Sequence, residues 1–553
     1  MTRTYFQGRS TAVLSLASLL LGVSACGGDA PGARDLGPGY DDPIWTEAAD
    51  GKADTSAIGA VKKIDWDGFV LVPAGASNEV VQAEVRRQIK SALGALRTGP
   101  QISLRDRDAR SNLDTGRMVR ETLTVVGANG TDTGSIDRVR YHYTDLALVL
   151  RTYRPSTLSV TLLFADYVSR YGELSVDCAD EIDSDAGSLW YHYAPGQSRC
   201  VRRISDEQKK IDAATKALGA RSGVIAQVEL DRRFATVRAQ LGPAQVPAAT
   251  YPEYDRLWGF GTDRTKVVVY SFFGVDSDDT NPRDNGLIES MRYLRTVRAQ
   301  FPKLAVVETR PFAFLLDFYL DGARLDGITY ENVASWVLDG SGWPAAAASD
   351  TAKQRQLLEQ VRDRWLERWI VWQLPATVKR GGETRQMTIE IRTYYGREDG
   401  REDWRLHARW RYLEAFWHGD VFAYTGHSHF GHGPLEPVEY SGANFPDRYQ
   451  TFLFNSCLSY NYYDVDFLEM HPGGTRNAEV VVNGLAAYWN SMGEASARYV
   501  IGLLDGQNKS WGQILSGMTV NLPFARNYDP MRAVNGELDN AFNPTQGKIE
   551  LTY

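Results

Sequence analysis

Three imidazoles fall within six positions of the stretch VFAYTGHSHFGHGP (421–434): His427, His429 and His432. Farther on, the stretch TFLFNSC ends in Cys457. Two chemistries are open to such a set. An imidazole beside a thiol can take its proton and make it a nucleophile, while backbone N–H groups at a strand end hold the developing oxyanion. Alternatively, imidazoles spaced His427-x-His429-x-x-His432 can reach one zinc ion. A third reading leaves His429 and His432 as loop residues that only shape a cleft.

The elements around these residues favour the first chemistry. VFAYT and TFLFN are short, largely apolar runs that read as strands of a parallel sheet, and EVVVNG (479–484) is a third. His427 and Cys457 each follow such a strand, at the edge where open α/β sheets place their sites. Neighbouring strands lie about 5 Å apart, so the two side chains would face one another. Upstream, TKVVVYSFFG reads as a strand, LIESMRYLRTVRAQF as a helix and LAVVETR as a second buried strand, a βαβ pattern. Residues 354–373 read as a helix with Leu358, Val361, Trp365 and Trp369 on one face, and MTIEIRTYY as a strand. Leu406, Trp410, Leu413 and Trp417 form an apolar helical stripe, with Asp403 as its cap and Gly419 as its stop; His418 suits the C-terminal end of that helix. The polar loop Asp276–Asn285 ends the first strand on the functional edge, where Asp278 and Arg283 are expected to select the substrate.

The N-terminal half reads differently. FVLVPAG is a strand, and Val81, Val85, Ile89, Leu93 and Leu96 recur at helical spacing. LTVVGANGTDTG, VRYHYTD and LALVLRTYRPSTLSVTLLFADY are strands and turns, which predicts an α+β unit over residues 61–250 with an antiparallel sheet. Prolines in GPAQVPAATYPEYD (242–255) mark the boundary to a second domain over 255–553. The chain of 553 residues carries a net charge of −8 and has no Lys/Arg block, which removes the electrostatic footprint of a nucleic-acid binder.

Arg3 and Arg9 precede an apolar run from Thr11 to Val23, too short to span a bilayer and suited to an export signal over residues 1–26. Val23-Ser24-Ala25-Cys26 resembles the lipobox of bacterial lipoproteins, which implies a lipid on Cys26, anchorage to the cell envelope, in particular the outer membrane, and a flexible tether over 27–60. In an oxidising compartment Cys178 and Cys200 are the natural disulfide, leaving Cys457 over. The acidic residues Asp177, Asp180, Glu181, Asp183 and Asp185 could bind calcium, although their spacing is not that of a calcium-binding hand and a solvated loop accounts for them.

The strand ending in Tyr424-Thr425-Gly426-His427 resembles the YSGHG of metacaspases and the YxGHG of separases. LFNSC resembles the apolar block and Ser/Ala-Cys of caspase-like, clostripain, gingipain and CHAT-domain peptidases. The segment from about Asp420 to Met518 is thus similar to peptidase clan CD, with Ser428 standing where the family has Gly. The resemblance implies an α/β fold: a caspase–hemoglobinase-like three-layer α/β/α domain with a mostly parallel sheet. It also implies His427 as base, Cys457 as nucleophile, and an oxyanion hole and cleft built around Gly426, Ser428, Asn455 and Ser456, with no cofactor and a protein or peptide substrate. The rival zinc reading resembles the HxHxDH motif of metallo-β-lactamase-fold hydrolases, with Gly431 at its Asp and His471 as a downstream histidine. A catalytically silent surface binding protein on the same fold is the remaining alternative.

Overall fold

The computed structural model describes residues 54–106, 113–180, 185–276, 280–307, 313–397, 402–431 and 435–553. The export signal, Cys26 and most of the expected tether lie outside them. Thr55–Ser56 (β1), however, is already a strand, and Gly59–Pro73 (β2) follows at once, so the fold begins inside the segment read as tether. The helical spacing after β2 yields two helices, Asn78–Lys90 (α1) and Ala92–Thr98 (α2), joined at Ser91. Strands Val119–Val126 (β3), Asp132–Leu150 (β4) and Thr157–Leu163 (β5) lead to Tyr171–Cys178 (α3), Ser198–Leu218 (α4) and Phe234–Leu241 (β6). The long β4 pairs antiparallel with both β2 and β3, which gives the accessory unit its mainly antiparallel sheet. Cys178 and Cys200 form a disulfide that ties α3 to α4.

The second unit is built on Lys266–Gly274 (β7), Asn285–Gln300 (α5), Thr351–Trp365 (α6), Arg368–Arg380 (β8), Glu383–Gly396 (β9), Glu402–His418 (α7), Val421–Thr425 (β10), Gln450–Asn455 (β11), Ala478–Asn483 (β12), Met492–Leu504 (α8), Trp511–Gly517 (α9), the hairpin Val520–Leu522 (β13) and Ala525–Tyr528 (β14), and Arg532–Asn535 (β15). Its sheet runs β1-β15-β12-β11-β10-β7-β9-β8, with short strands at 305–306 and 549–552 on β8. The five central strands, β9, β7, β10, β11 and β12, are parallel to one another, and the pairs flanking them, β9 with β8 and β12 with β15, are antiparallel. The protein is therefore mixed α/β, and its sheet is mixed rather than mostly parallel.

Alternation along β7 explains why such strands are apolar throughout. Val267, Val269 and Phe273 enter one core, with α5, α6, α8 and α9, while Tyr270 and Phe272 enter the other, with α7. That second core is continuous with the interior of the accessory unit, since Phe422 and Phe452 belong to the same cluster as Trp66 and Tyr143. The accessory unit thus covers one face of the sheet.

Three expectations are corrected. The run LAVVETR supplies only Ala305–Val306, an antiparallel edge strand, and the parallel neighbour of β7 is β9 instead. The helix read over 354–373 ends at Trp365, and Trp369 lies in β8, because the β-branched and aromatic run RWIVW prefers a pleated surface. Pro375 is tolerated in β8 because it falls between the rungs to 305–306 and those to 549–552. Finally, α7 forms but starts at Glu402, so Asp403 lies inside it rather than at its cap, and it buries Tyr412, Ala415 and Phe416, leaving Trp410 69% and Trp417 48% exposed.

The two units are pinned by a buried ion cluster. Arg105 of the accessory unit pairs with Asp54, which precedes β1, and its Nε lies 2.8 Å from Asp464 Oδ2 in the second unit. Replacing Arg105 by Met strands two buried carboxylates. The expected cost is about 3–5 kcal/mol, read as a fall in thermal or urea midpoint, and a loss below about 1 kcal/mol would show that the cluster does not hold the units together.

Candidate active site

Parallel pairing places the site. The rungs of β10 and β11 run from Val421↔Thr451 to Thr425↔Asn455, so His427 and Cys457 each stand two residues beyond the last rung, on adjacent strands. Beyond β7, on the other side of β10, Asp276 occupies the same edge. The sequence reading singled out the loop that contains Asp276 but missed its role. The available signal was an acidic residue two positions past the end of the strand that neighbours the histidine strand.

Asp276 fixes the imidazole. His427 Nε2 is 3.1 Å from Asp276 Oδ1 and 2.9 Å from the Asp276 carbonyl oxygen. Both partners are acceptors, so Nε2 carries a proton. Trp489 Nε1 donates to the same Oδ1 at 2.7 Å, and Asn285 Nδ2 donates to Oδ2 at 2.7 Å. Burial alone would raise the Asp276 pKa, but the hydrogen bonds from His427, Asn285 and Trp489 outweigh it and hold the carboxyl below its ordinary range. The Trp489 ring meets the His427 ring edge to face, with centroids 5.7 Å apart. Trp489 is the second residue the sequence reading missed. Its segment is anchored by buried Glu289, which accepts from Asn490 N at 2.9 Å and Gly493 N at 2.7 Å. A side chain at Gly493 would collide with the Glu289 carbonyl, which is why α5 and α8 can approach so closely there.

The backbone after each strand is held as firmly. Tyr424 OH donates to the His427 carbonyl at 2.6 Å and Tyr463 OH to the Ser428 carbonyl at 3.0 Å. His429 and Phe430 adopt φ of 46° and 54°, a left-handed conformation that L residues occupy only where the surroundings enforce it. Part of that enforcement comes from the accessory unit: Phe430 packs against Trp190, Tyr191 and His192, with centroids 5.9, 4.9 and 6.2 Å away. Those three residues lie in the loop closed by Cys178–Cys200. After β11, Leu458 is also left-handed (φ 48°), and Ser459 Oγ donates to Phe454 O at 2.7 Å while accepting from Asn483 N at 2.8 Å.

Cys457 is fully buried, and His427 is 3% exposed. The Cys457 Sγ lies 3.3 Å from Ala487 N and 3.4 Å from Ala487 O. The sequence reading left this cysteine over, but no described cysteine is free: Cys457 is disulfide-bonded, with its partner outside the described residues. Asn455 and Ser456, expected at the cleft, are buried scaffold: Asn455 Nδ2 donates to Met492 O at 2.9 Å and Ser496 Oγ at 3.0 Å, and Ser456 O accepts from Asn483 Nδ2 at 2.9 Å. Gly426 and Ser428 stand at the turn leaving β10, on either side of the imidazole.

The other candidates fare differently. His432, Asp278, Glu181 and Asp183 lie outside the described residues. The His427 and His429 rings are 5.6 Å apart, but His427 Nε2 is committed to Asp276, and among the described residues no group of three His, Cys, Asp or Glu is placed to hold a metal. Farther along, buried His471 presents Nε2 to Gln450 Oε1 at 2.8 Å, at the start of β11 and thus at the end of that strand away from Cys457. In the acidic loop, Asp177 pairs with Arg203 at 3.0 Å and Asp180 with Arg97 at 2.6 Å, while Asp185 accepts from Ser188 N at 2.7 Å. Arg283 is exposed at the functional edge.

A carboxylate held below its ordinary range stabilises the fold above its unfolded pKa, and that contribution is lost as pH falls through the folded value. Asp276→Asn should therefore cost about 1.5–3 kcal/mol at pH 7, and the difference from the wild type should shrink below the ordinary carboxyl value of 3.8. Urea unfolding of both proteins from pH 7 to pH 3 measures this, and a difference that does not change with pH would refute the charged role of Asp276. No protein-family profile, no curated protein and no solved structure matches the chain, so the assignment of this site rests on its own residues.

Proposed function

We propose that the protein is a cysteine endopeptidase of the caspase and gingipain-like kind, with a caspase–hemoglobinase-like second domain, exported and held at the bacterial outer membrane by a lipid on Cys26. The observation that carries the reading is the Asp276–His427 pair at the end of β10, beside the strand that delivers Cys457 at the same level. With Nε2 held by Asp276, Nδ1 of His427 takes the proton of the Cys457 thiol. The thiolate attacks the peptide carbonyl, and the oxyanion is received by the N–H groups of Cys457 and of Ser428. His427 then returns the proton to the leaving amine, and water hydrolyses the thioester.

The disulfide at Cys457 can belong only to the chain before lipidation, and in that form the proposed enzyme is latent. A small dithiol reductant opens it by exchange: the attacking thiolate forms a mixed disulfide, closes to its own disulfide and leaves Cys457 as a thiol. A lipid on Cys26 has a related consequence. It occupies that sulfur as a thioether, and with four cysteines in the chain and Cys178 joined to Cys200, it leaves Cys457 no disulfide partner within its own chain.

The test needs no substrate. In reduced protein lacking residues 1–26, the rate of Cys457 alkylation against pH is expected to show an inflection well below the free-thiol value of about 8.5, moving back up in His427→Ala. An inert or ordinary thiol, indifferent to His427, removes the peptidase reading. Full burial of Cys457 and the packing of the accessory unit on Phe430 favour a second reading, a catalytically silent surface binding protein. That reading requires Cys457→Ala to keep the biological effect of the wild type.

A further inference from the structure

The segment after β12 touches both reactive residues, through Ala487 at Cys457 Sγ and through Trp489 at the His427 ring. Between them stands Tyr488, one Cα step of about 3.8 Å from either neighbour. Unlike Ala487 and Trp489, Tyr488 is only partly buried, and its ring meets two others edge to face: Phe524 at 5.2 Å and Tyr528 at 5.3 Å. These come from the β13–β14 hairpin, whose tip raises Phe524 to 51% exposure. The hairpin is tied to the same segment by a hydrogen bond from Tyr528 OH to the Ala486 carbonyl. A single exposed phenylalanine is unremarkable on a protein surface. A tyrosine, a half-exposed phenylalanine and a second tyrosine gathered against a segment that contacts both site residues form an apolar ledge at the site.

We infer that this ledge is the specificity surface for the substrate, receiving an aromatic or large aliphatic side chain of the bound peptide within a residue or two of the scissile bond; this rests on the peptidase reading. An extended peptide advances about 3.3 Å per residue, so a chain whose carbonyl sits at Cys457 Sγ brings a neighbouring side chain level with Tyr488. Aromatic edges and faces reward an aromatic or branched aliphatic partner and offer nothing to a carboxylate. The substrate class is therefore a polypeptide with an aromatic or bulky aliphatic residue close to the cleavage point.

The ledge can be tested apart from catalysis. Full-length Cys457→Ala protein is titrated with fluorescent, N-blocked tetrapeptides that carry Phe at each position in turn on an alanine background. Phe at one position should tighten binding at least tenfold over the alanine peptide. Phe524→Ala and Tyr488→Ala should each remove that gain, and Phe524→Leu should retain part of it. Phe524 lies at an exposed hairpin tip, so its variants also serve as the folding control, checked by thermal melts. No gain from Phe at any position, or a gain that survives both alanine variants, overturns the inference. Reduced wild-type protein that binds the Phe peptide without cleaving it would sink the peptidase reading and spare the ledge; cleavage with no Phe preference would do the reverse.

Discussion

Everything at the site depends on one pairing, the in-register parallel contact of β10 with β11. Because side chains alternate along a strand, a slip of one residue would turn every side chain of β11 to the other face and shift Cys457 relative to His427. The register is held by burial: all five residues of β10 and all six of β11 are buried, so any slip exchanges residues between two filled cores. The same logic extends to β7, which pairs with β10 up to Thr425↔Phe273 and so delivers Asp276 to the Nε2 side of the imidazole. Asp276, His427 and Cys457 are thus positioned by backbone hydrogen bonds of the strands that precede them.

The accessory unit belongs to this arrangement physically. Its core and one face of the central sheet form a single apolar cluster, and its loop 188–193 packs on Phe430, three residues from His427. Arg97 stiffens that loop, pairing with Asp180, donating to Tyr191 O at 2.9 Å and stacking on the Tyr191 ring at 4.4 Å. Cys178–Cys200 closes the loop at its base. The left-handed backbone at His429 and Phe430 is consequently sustained by two parts of the chain that are far apart in sequence.

Much of this was legible in the sequence. The continuous apolar runs of β7, β10, β11 and β12 announce strands buried on both faces, and the strands that precede His427 and Cys457 are indeed neighbours in the sheet. The disulfide between Cys178 and Cys200 followed from their proximity and the expected compartment. What failed was phase and partnership. Apolar and aromatic residues surround α7 on several sides, so periodicity alone could not decide between the Trp410–Trp417 stripe and the Tyr412–Phe416 stripe that is buried. The run RWIVW, following a true helix, was absorbed into it although its β-branched residues suited a strand. Asp276 was hidden because its role exists only through a strand order that no local pattern encodes.

The edge strand β1 has a consequence for how the molecule is assembled. Thr55 N donates to Glu537 Oε1 at 2.7 Å across 482 residues of chain, and β1 completes the sheet on β15. Closing so long a loop is entropically slow, and it cannot happen until nearly the whole polypeptide is available. Docking of the first strand is therefore a late event that reports a finished sheet. A chain that emerges with its beginning first must keep β1 unpaired until β15 arrives, and an incomplete molecule is marked by an open sheet edge.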